Sequence, residues 1–241
     1  MIEYEADGFK IKQYIWDVVD SNSFLILEGN NALLIDAIDS DELFSALECT
    51  DDLLIILTHC HFDHICGLNK IRKLKPNCKV YATSMCSKNI GNKYRNMSAS
   101  GNAFMAFYNN KELNESEKLT AIDHTHLIDA FTAEPADVTY DEECEFIWKN
   151  HKVHLIQCYG HSNDSSIIVF DDKYLFSGDT LLGIPTVTRF PGGSTKRFWE
   201  EDVPKLITLK SEIVFPGHGK IDYKEKMIKN SKIGKSFDAI E

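Results

Sequence analysis

The stretch His59-Cys60-His61-Phe62-Asp63-His64 follows directly on the apolar run Leu53–Leu57. Three imidazoles and a carboxylate fall within six residues, at the end of what reads as a buried strand. In an extended segment residues i and i+2 project to the same face, so His59 and His61 are placed to hold one metal ion together. Asp63 and His64, past the strand end, can turn toward a second. A protein core has no use for such a cluster, whereas a hydrolytic metal centre is built from these side chains.

Three further segments repeat the grammar of an apolar strand, a small-residue turn and a ligand-type side chain. Gly160-His161-Ser162 follows Val153–Gln157, Ser177-Gly178-Asp179-Thr180 follows Tyr174–Phe176, and Pro216-Gly217-His218-Gly219 follows Ile213–Phe215. Together with the first cluster they supply five histidines and two aspartates. That donor set fits two divalent ions, zinc first, with iron or manganese accepted by the same side chains. Two ions about 3.5–4 Å apart polarise a carbonyl and make hydroxide available near neutral pH.

The bulk properties bound the rest. The chain has 241 residues, 43% of them hydrophobic and 26% charged, an ordinary globular composition suited to one large domain. No apolar stretch is long enough to span a bilayer. The acidic start, Met1 to Asp7, lacks the apolar run of a secretory signal, so a cytoplasmic location is expected. A formal net charge of −11 disfavours nucleic acid and anionic membranes as partners. Seven cysteines without CxxC spacing read as reduced thiols. The expected partner is a small molecule, with a homodimer possible.

Along the chain, residues 9–36 read as antiparallel strands, with a hairpin of Ser23–Glu28 and Ala32–Asp36. A helix is predicted over Ser40–Cys49 with Ser40 as N-cap, another over Ile65–Lys73, and a strand at Lys79–Ala82. Residues 84–133, rich in Asn, Ser, Lys and Met, read as a helical insertion or lid (Ser84–Tyr94, Ala103–Asn109, Glu112–Leu119). From Glu143 strands return, at Glu145–Trp148, Val153–Gln157, Ser166–Phe170 and Tyr174–Ser177. A helix at Lys196–Leu209, a strand at Glu212–Phe215 and a helix at Lys224–Lys232 complete the pattern. Two halves, each with strands first and helices after, suggest two packed sheets with helices outside.

At this point the sequence resembles the metallo-β-lactamase superfamily, over nearly its whole length outside 84–133. The resemblance implies a single α/β domain over residues 1–241, a four-layer αββα sandwich. It also implies a division of ligands. His59, His61 and His161 match the first-metal histidines; Asp63, His64 and His218 match the second-metal ligands; Asp179 matches the bridging carboxylate. The loop from Asp179 to Gly192-Gly193-Ser194 is similar to the glyoxalase II-like thioesterase branch, and 84–133 to the insertions of the lactonase branch. The implied activity is cleavage of a thioester, ester or lactone by hydroxide held between the metals, with Asp63 orienting the attacking water. A mononuclear iron persulfide dioxygenase of the same fold is the alternative. Substrate contacts are expected from Tyr159 as an oxyanion donor, Arg189 toward an anionic group, and Phe104 and Tyr108 along an acyl chain.

Overall fold

A computed structural model of the chain describes residues 2–6, 8–109, 128–188 and 190–231. Two sheets face each other. The first, in the order β1 to β7, comprises β1 (Ile2–Ala6), β2 (Phe9–Trp16), β3 (Ser21–Glu28), β4 (Asn31–Ile35), β5 (Asp52–Ile56), β6 (Lys79–Thr83) and β7 (Val138–Tyr140). Its first four strands pair antiparallel, and β4 to β7 pair parallel. The second holds β8 (Glu143–Trp148), β9 (His151–Gln157), β10 (Ser166–Phe170), β11 (Tyr174–Gly178), β12 (Ile213–Pro216) and β13 (Asp222–Tyr223), in the order β13-β12-β11-β10-β9-β8. Only its β11–β12 pair is parallel.

Apolar residues on both faces of the central strands fix the layers. In β3, Phe24 and Ile26 join the layer between the sheets, where they meet Phe170, Phe176 and Phe215. Leu25, between them, points to the other face and packs with Leu34, Ile55 and the outer helices. Those helices are α1 (Asp41–Glu48), α2 (Phe62–Ile65), α3 (Leu68–Leu74), α4 (Ser84–Ile90) and α5 (Gly101–Asn109). Over the second sheet, Ile167, Val169, Leu175 and Val214 pack under Phe198, Val203, Leu206 and Met227. These come from α6, a helical run over 195–208 with a π-helical turn at Phe198–Asp202, and from α7 (Lys224–Asn230). The result is the αββα sandwich. Among the described residues no helix is long and apolar enough to cross a membrane.

The expected elements recur, with informative differences. Ser40 does cap α1, its hydroxyl accepting from Leu43 N. The helix expected over Ile65–Lys73 is α3, which begins only at Leu68: α2 ends at Ile65, and the chain between them is pinned by the Gly67 amide donating to the Ala37 carbonyl at 2.7 Å. The helix expected to reach Tyr94 stops at Ile90, before Gly91. Strands β1 and β7 were not expected. β1 is an edge strand only five residues long, whose Glu3 and Glu5 pair with Lys10 across to β2 while Tyr4, between them, packs edge-on against Tyr174 and Phe215. β7 is three residues long with one of them buried, too short for periodicity to register.

The segment 84–133 divides. Cys86 and Ile90 set α4 into the outer core over β6. Beyond it, Asn102 exchanges two hydrogen bonds with the Ile128 backbone, and Asn96 and Ser98 donate to the Phe131 carbonyl. The helix expected at Glu112–Leu119 lies outside the described residues.

Candidate metal centre

One edge of the sandwich collects the ends of β4, β5, β9, β11 and β12. The sheets are tied there: Ser166 N donates to the Thr58 carbonyl at 2.7 Å, and Asn22 N to the Gly217 carbonyl at 2.7 Å. Two glycines allow the close approach. Gly178 has φ +47°, and a Cβ on it would stand 2.7 Å from the Thr58 side chain. A Cβ on Gly217 would stand 2.2 Å from Asp179 Oδ1 and 2.9 Å from His64 Cε1. Only bare backbone fits against the cluster at these points.

All seven expected ligands converge there. His59, His61 and His161 form one group of donor atoms, His59, His64 and Asp179 a second, and Asp63, His64 and His218 a third. His61 Nδ1 lies 3.1 Å from His59 Nε2 and 3.1 Å from His161 Nε2. Asp179 lies between the groups: its Oδ2 is 3.5 Å from both His161 Nε2 and His218 Nε2, and its Oδ1 is 3.5 Å from His64 Nε2. Asp63 Oδ2 is 3.2 Å from His218 Nε2 and 3.5 Å from His64 Nε2.

The outer nitrogens of four histidines are anchored, and this fixes which nitrogen faces inward. His161 Nδ1 donates to the Val187 carbonyl and His218 Nδ1 to the Val19 carbonyl, each at 3.0 Å. His64 Nδ1 donates to Asp36 Oδ2 at 2.9 Å. Thr58 Oγ1 donates to the same oxygen at 2.8 Å and so accepts from His59 Nδ1 at 2.9 Å. In each ring the inward Nε2 is the nitrogen left to face an ion. The 3.1 Å spacing of His61 Nδ1 from His59 Nε2 and His161 Nε2 is close to the about 3.3 Å that separates tetrahedral ligands lying about 2.05 Å from zinc.

Electrostatics point the same way. Burial, with the neighbouring imidazoles, pushes His59 well below the ordinary imidazole range, and burial with His161 pushes His61 down to about 4. Burial also opposes charge on His64, but Asp63, Asp179 and Asp36 outweigh it and lift His64 to about 10. Burial works against the Asp63 and Asp179 carboxylates too, yet the histidines around them hold both below the usual carboxylate range. The three-histidine group thus stays uncharged and able to donate to an ion, while the carboxylates around His64 favour positive charge there. His64 Nε2 and Asp179 Oδ1 are nevertheless buried with no hydrogen-bond partner. Leaving such atoms unmatched costs about 1–3 kcal/mol each, which an ion between them removes. The residues present fit a pair of divalent ions.

Two residues that sequence reasoning missed hold the cluster in place. Asp36, at the end of β4, adopts φ +59°, a left-handed conformation that aspartate tolerates, and its Oδ1 accepts from Thr58 N at 2.7 Å. Its signal was present: Ala32–Ile35 is an apolar strand running into a carboxylate, the same grammar as the ligand turns. Asp202, on the π turn of α6, accepts from Tyr159 N at 3.0 Å and Gly160 N at 2.6 Å, the residues leading into His161. Nothing in the sequence marks it.

The expected substrate contacts are placed differently from one another. Phe104 stands 5.9 Å from Phe190, whose ring packs edge-on against His61 and His161 at 5.0 and 5.1 Å. Phe190 was not singled out from the sequence, where it is one aromatic in an irregular loop. The Tyr159 ring lies 3.2 Å beneath the Arg197 guanidinium, in a cavity lined by Glu142, Glu143, Glu201 and Lys205 that none of the seven ligands lines. Arg189 and the side chain of Tyr108 lie outside the described residues.

Comparison with known proteins agrees with this geometry. A beta-lactamase-like protein 2 homolog of Drosophila melanogaster is 24% identical over 220 residues, covering 83% of this chain and 59% of its own length. A hydroxyacylglutathione hydrolase of Haemophilus ducreyi is 24% identical over 202 residues, covering 83% of this chain and 66% of its own length. The chain thus spans less than two thirds of either relative. Among solved structures, the BLEG-1 B3 metallo-beta-lactamase superposes with a TM-score of 0.69 at 23% identity, over 91% of this chain and 96% of that one. TTHA1623, solved in a di-iron-bound form, gives 0.66 at 20% identity, over 92% and 99%. At these identities the likeness is one of fold. The family model for the metallo-beta-lactamase superfamily matches residues 16–218, a span that takes in all seven ligand positions, and the chain belongs to that superfamily.

Proposed function

We propose that the protein is a metal-dependent hydrolase that cleaves an acyl ester-type bond, a thioester, ester or lactone, in a small-molecule substrate. The observation that carries this reading is the convergence of seven buried or nearly buried ligand side chains, with His64 Nε2 and Asp179 Oδ1 left unmatched between them. The likeness to a hydroxyacylglutathione hydrolase supports the thioester choice. His59, His61 and His161 would hold one ion, Asp63, His64 and His218 the other, and Asp179 would reach both. Zinc is the first expectation, with iron and manganese as alternatives for the same donors. When bound, such ions polarise a carbonyl and lower the pKa of water to about 7.

The chain's own residues supply the rest. Asp63 is kept ionised by His64 and His218, so its carboxylate can accept a hydrogen bond from the attacking water and orient it. Phe190 and Phe104 present apolar rings beside His61 and His161, excluding bulk water and lying where an acyl chain can pack. Asp36 and the Val19 and Val187 carbonyls keep the imidazoles in the tautomers that face the centre.

The test is metal quantification on protein loaded separately with zinc, iron and manganese, with each form assayed on a thioester, a lactone, a β-lactam and a phosphodiester. Two ions per chain and turnover of the thioester or lactone are expected. One iron per chain, with oxygen uptake on glutathione persulfide and no hydrolysis, would replace this reading with the dioxygenase.

A further inference from the structure

Next to the ligand cluster, and sharing His61 as a wall, lies a separate cavity of about 380 Å³. Its other walls include Lys88 and Asn89 on α4, Arg95 in the turn after it, and Ser162 and Asp164 in the turn after His161. Lys88 and Arg95 thus put two cations on one cavity beside the centre, in a chain of net charge −11. Among the described residues neither Lys88 nor Arg95 is in an ion pair, whereas Lys196 and Arg197, elsewhere on the surface, pair with Glu200 and Glu201.

The carboxylate within the cavity wall is already engaged. Asp164 is fully buried; Ser162 Oγ donates to its Oδ1 at 2.6 Å, and Asn89 Nδ2 to its Oδ2 at 2.9 Å. Lys88 and Arg95 set against Asp164 leave one unit of positive charge. A single carboxylate neutralises that, whereas a phosphate dianion overshoots it. Arginine's planar fork matches a carboxylate in two parallel hydrogen bonds, with lysine adding a point charge. The volume lies at the small end of ligand sites, so it admits a short chain and not a bulky group.

We infer that this cavity seats a free carboxylate at the far end of the substrate's acyl group, so that the substrates are half-esters or half-thioesters of short dicarboxylic acids. The inference rests on the hydrolase reading for the scissile bond and on the cavity alone for the carboxylate. It makes Lys88 and Arg95 specificity residues, with His61 shared between the metal cluster and the acid pocket.

The experiment compares two thioesters of the same aryl thiol, the hemisuccinate and the butyrate, on metal-loaded wild type, Lys88→Ala, Arg95→Ala and the double variant. In parallel, binding of succinate and of inorganic phosphate is followed by NMR on wild type and double variant without metal. The expected result is a kcat/KM at least tenfold higher for the hemisuccinate, raised KM for that ester at high salt, and a ratio near one in the double variant. Succinate should bind wild type and not the double variant. If neither ester is cleaved but succinate binding behaves as stated, the hydrolase reading fails and the acid pocket stands. If both esters are cleaved equally and succinate does not bind, the pocket is overturned while the hydrolase stands. Tighter binding of phosphate than of succinate would also overturn the carboxylate assignment.

Discussion

Asp36 Oδ2 stands 2.9 Å from His64 Nδ1, and the same carboxylate reaches His59 through the Thr58 hydroxyl. One buried acid thus sets the tautomers of two histidines proposed to serve different ions. Asp36→Asn keeps the size and tolerates the left-handed backbone, but turns an N–H₂ toward one of these partners. His64 Nδ1 must then accept, which moves its proton to Nε2 and removes the lone pair facing the centre. Metal affinity should fall about 10–100-fold, the usual effect of losing such a supporting partner. Competition with a chromophoric chelator measures it; unchanged affinity would show that Asp36 does not govern the tautomer.

The elevated pKa of His64 carries a pH signature. In the metal-free protein its folded value, about 10, lies above the ordinary value of 6.5. The folded state therefore binds the extra proton, and the stability this gives is present in full below pH 6.5 and lost as pH rises through 10. Metal-free protein should lose thermal stability from about pH 7 to pH 10, and metal-loaded protein should not lose this contribution. Metal uptake near neutral pH should release a proton from His64, seen as a dependence of the binding enthalpy on buffer ionisation. Equal pH profiles for the two forms would contradict the electrostatic reading of the cluster.

Much of this centre was legible in the sequence, and the parts that were not share a cause. The candidate turns follow short apolar strands, so periodicity located the strands and residue chemistry the candidate ligands. His59, His61, Asp63, His64, His161, Asp179 and His218 come together in the structure. What periodicity could not report is how distant segments meet. Asp202 reaches the Gly160 amide from 42 residues away, on a π turn that leaves no mark in composition. Tyr159 is adjacent to a ligand turn in sequence, but its ring goes to Arg197 on the far side of that turn. The division of 84–133 was hidden for the opposite reason: Cys86 and Ile90 are apolar enough to join the outer core, although the surrounding composition is polar.

Gly217 tests whether the cluster is built to close tolerances. A Cβ there would meet Asp179 Oδ1 at 2.2 Å, the Gly178 carbonyl carbon at 2.9 Å and His64 Cε1 at 2.9 Å. Gly217→Ala should displace Asp179 and reduce the proposed two-ion binding to at most one ion, at a stability cost of about 1–3 kcal/mol for overpacking. Far-UV circular dichroism should stay near that of wild type, because both sheets lie beneath the turn. Retention of two ions at wild-type affinity would show that Asp179 does not need this position.

Asp202 provides the last test, through stability and metal together. Burial raises its carboxyl to about 6, even though the Tyr159 and Gly160 amides and Lys205 favour the charged form. Since the folded value lies above the ordinary 3.8, the group's favourable contribution is present below about pH 4 and lost as pH rises through 6. Asp202→Asn removes this titration, so the gap in melting temperature between wild type and variant should change across pH 4–6 and be flat from pH 7 to 8. At neutral pH the variant should also be less stable by about 1–3 kcal/mol, since its N–H₂ faces the Tyr159 N–H where Oδ1 of the carboxylate accepts, leaving Oδ2 alone to serve Tyr159 and Gly160. The turn that aims His161 then loosens, and affinity for the ion proposed at His59, His61 and His161 should fall, with the His161 imidazole resonance shifted and that of His218 in place. A variant with wild-type metal affinity and an unmoved His161 resonance would mean that the Val187 carbonyl alone suffices to orient the ring.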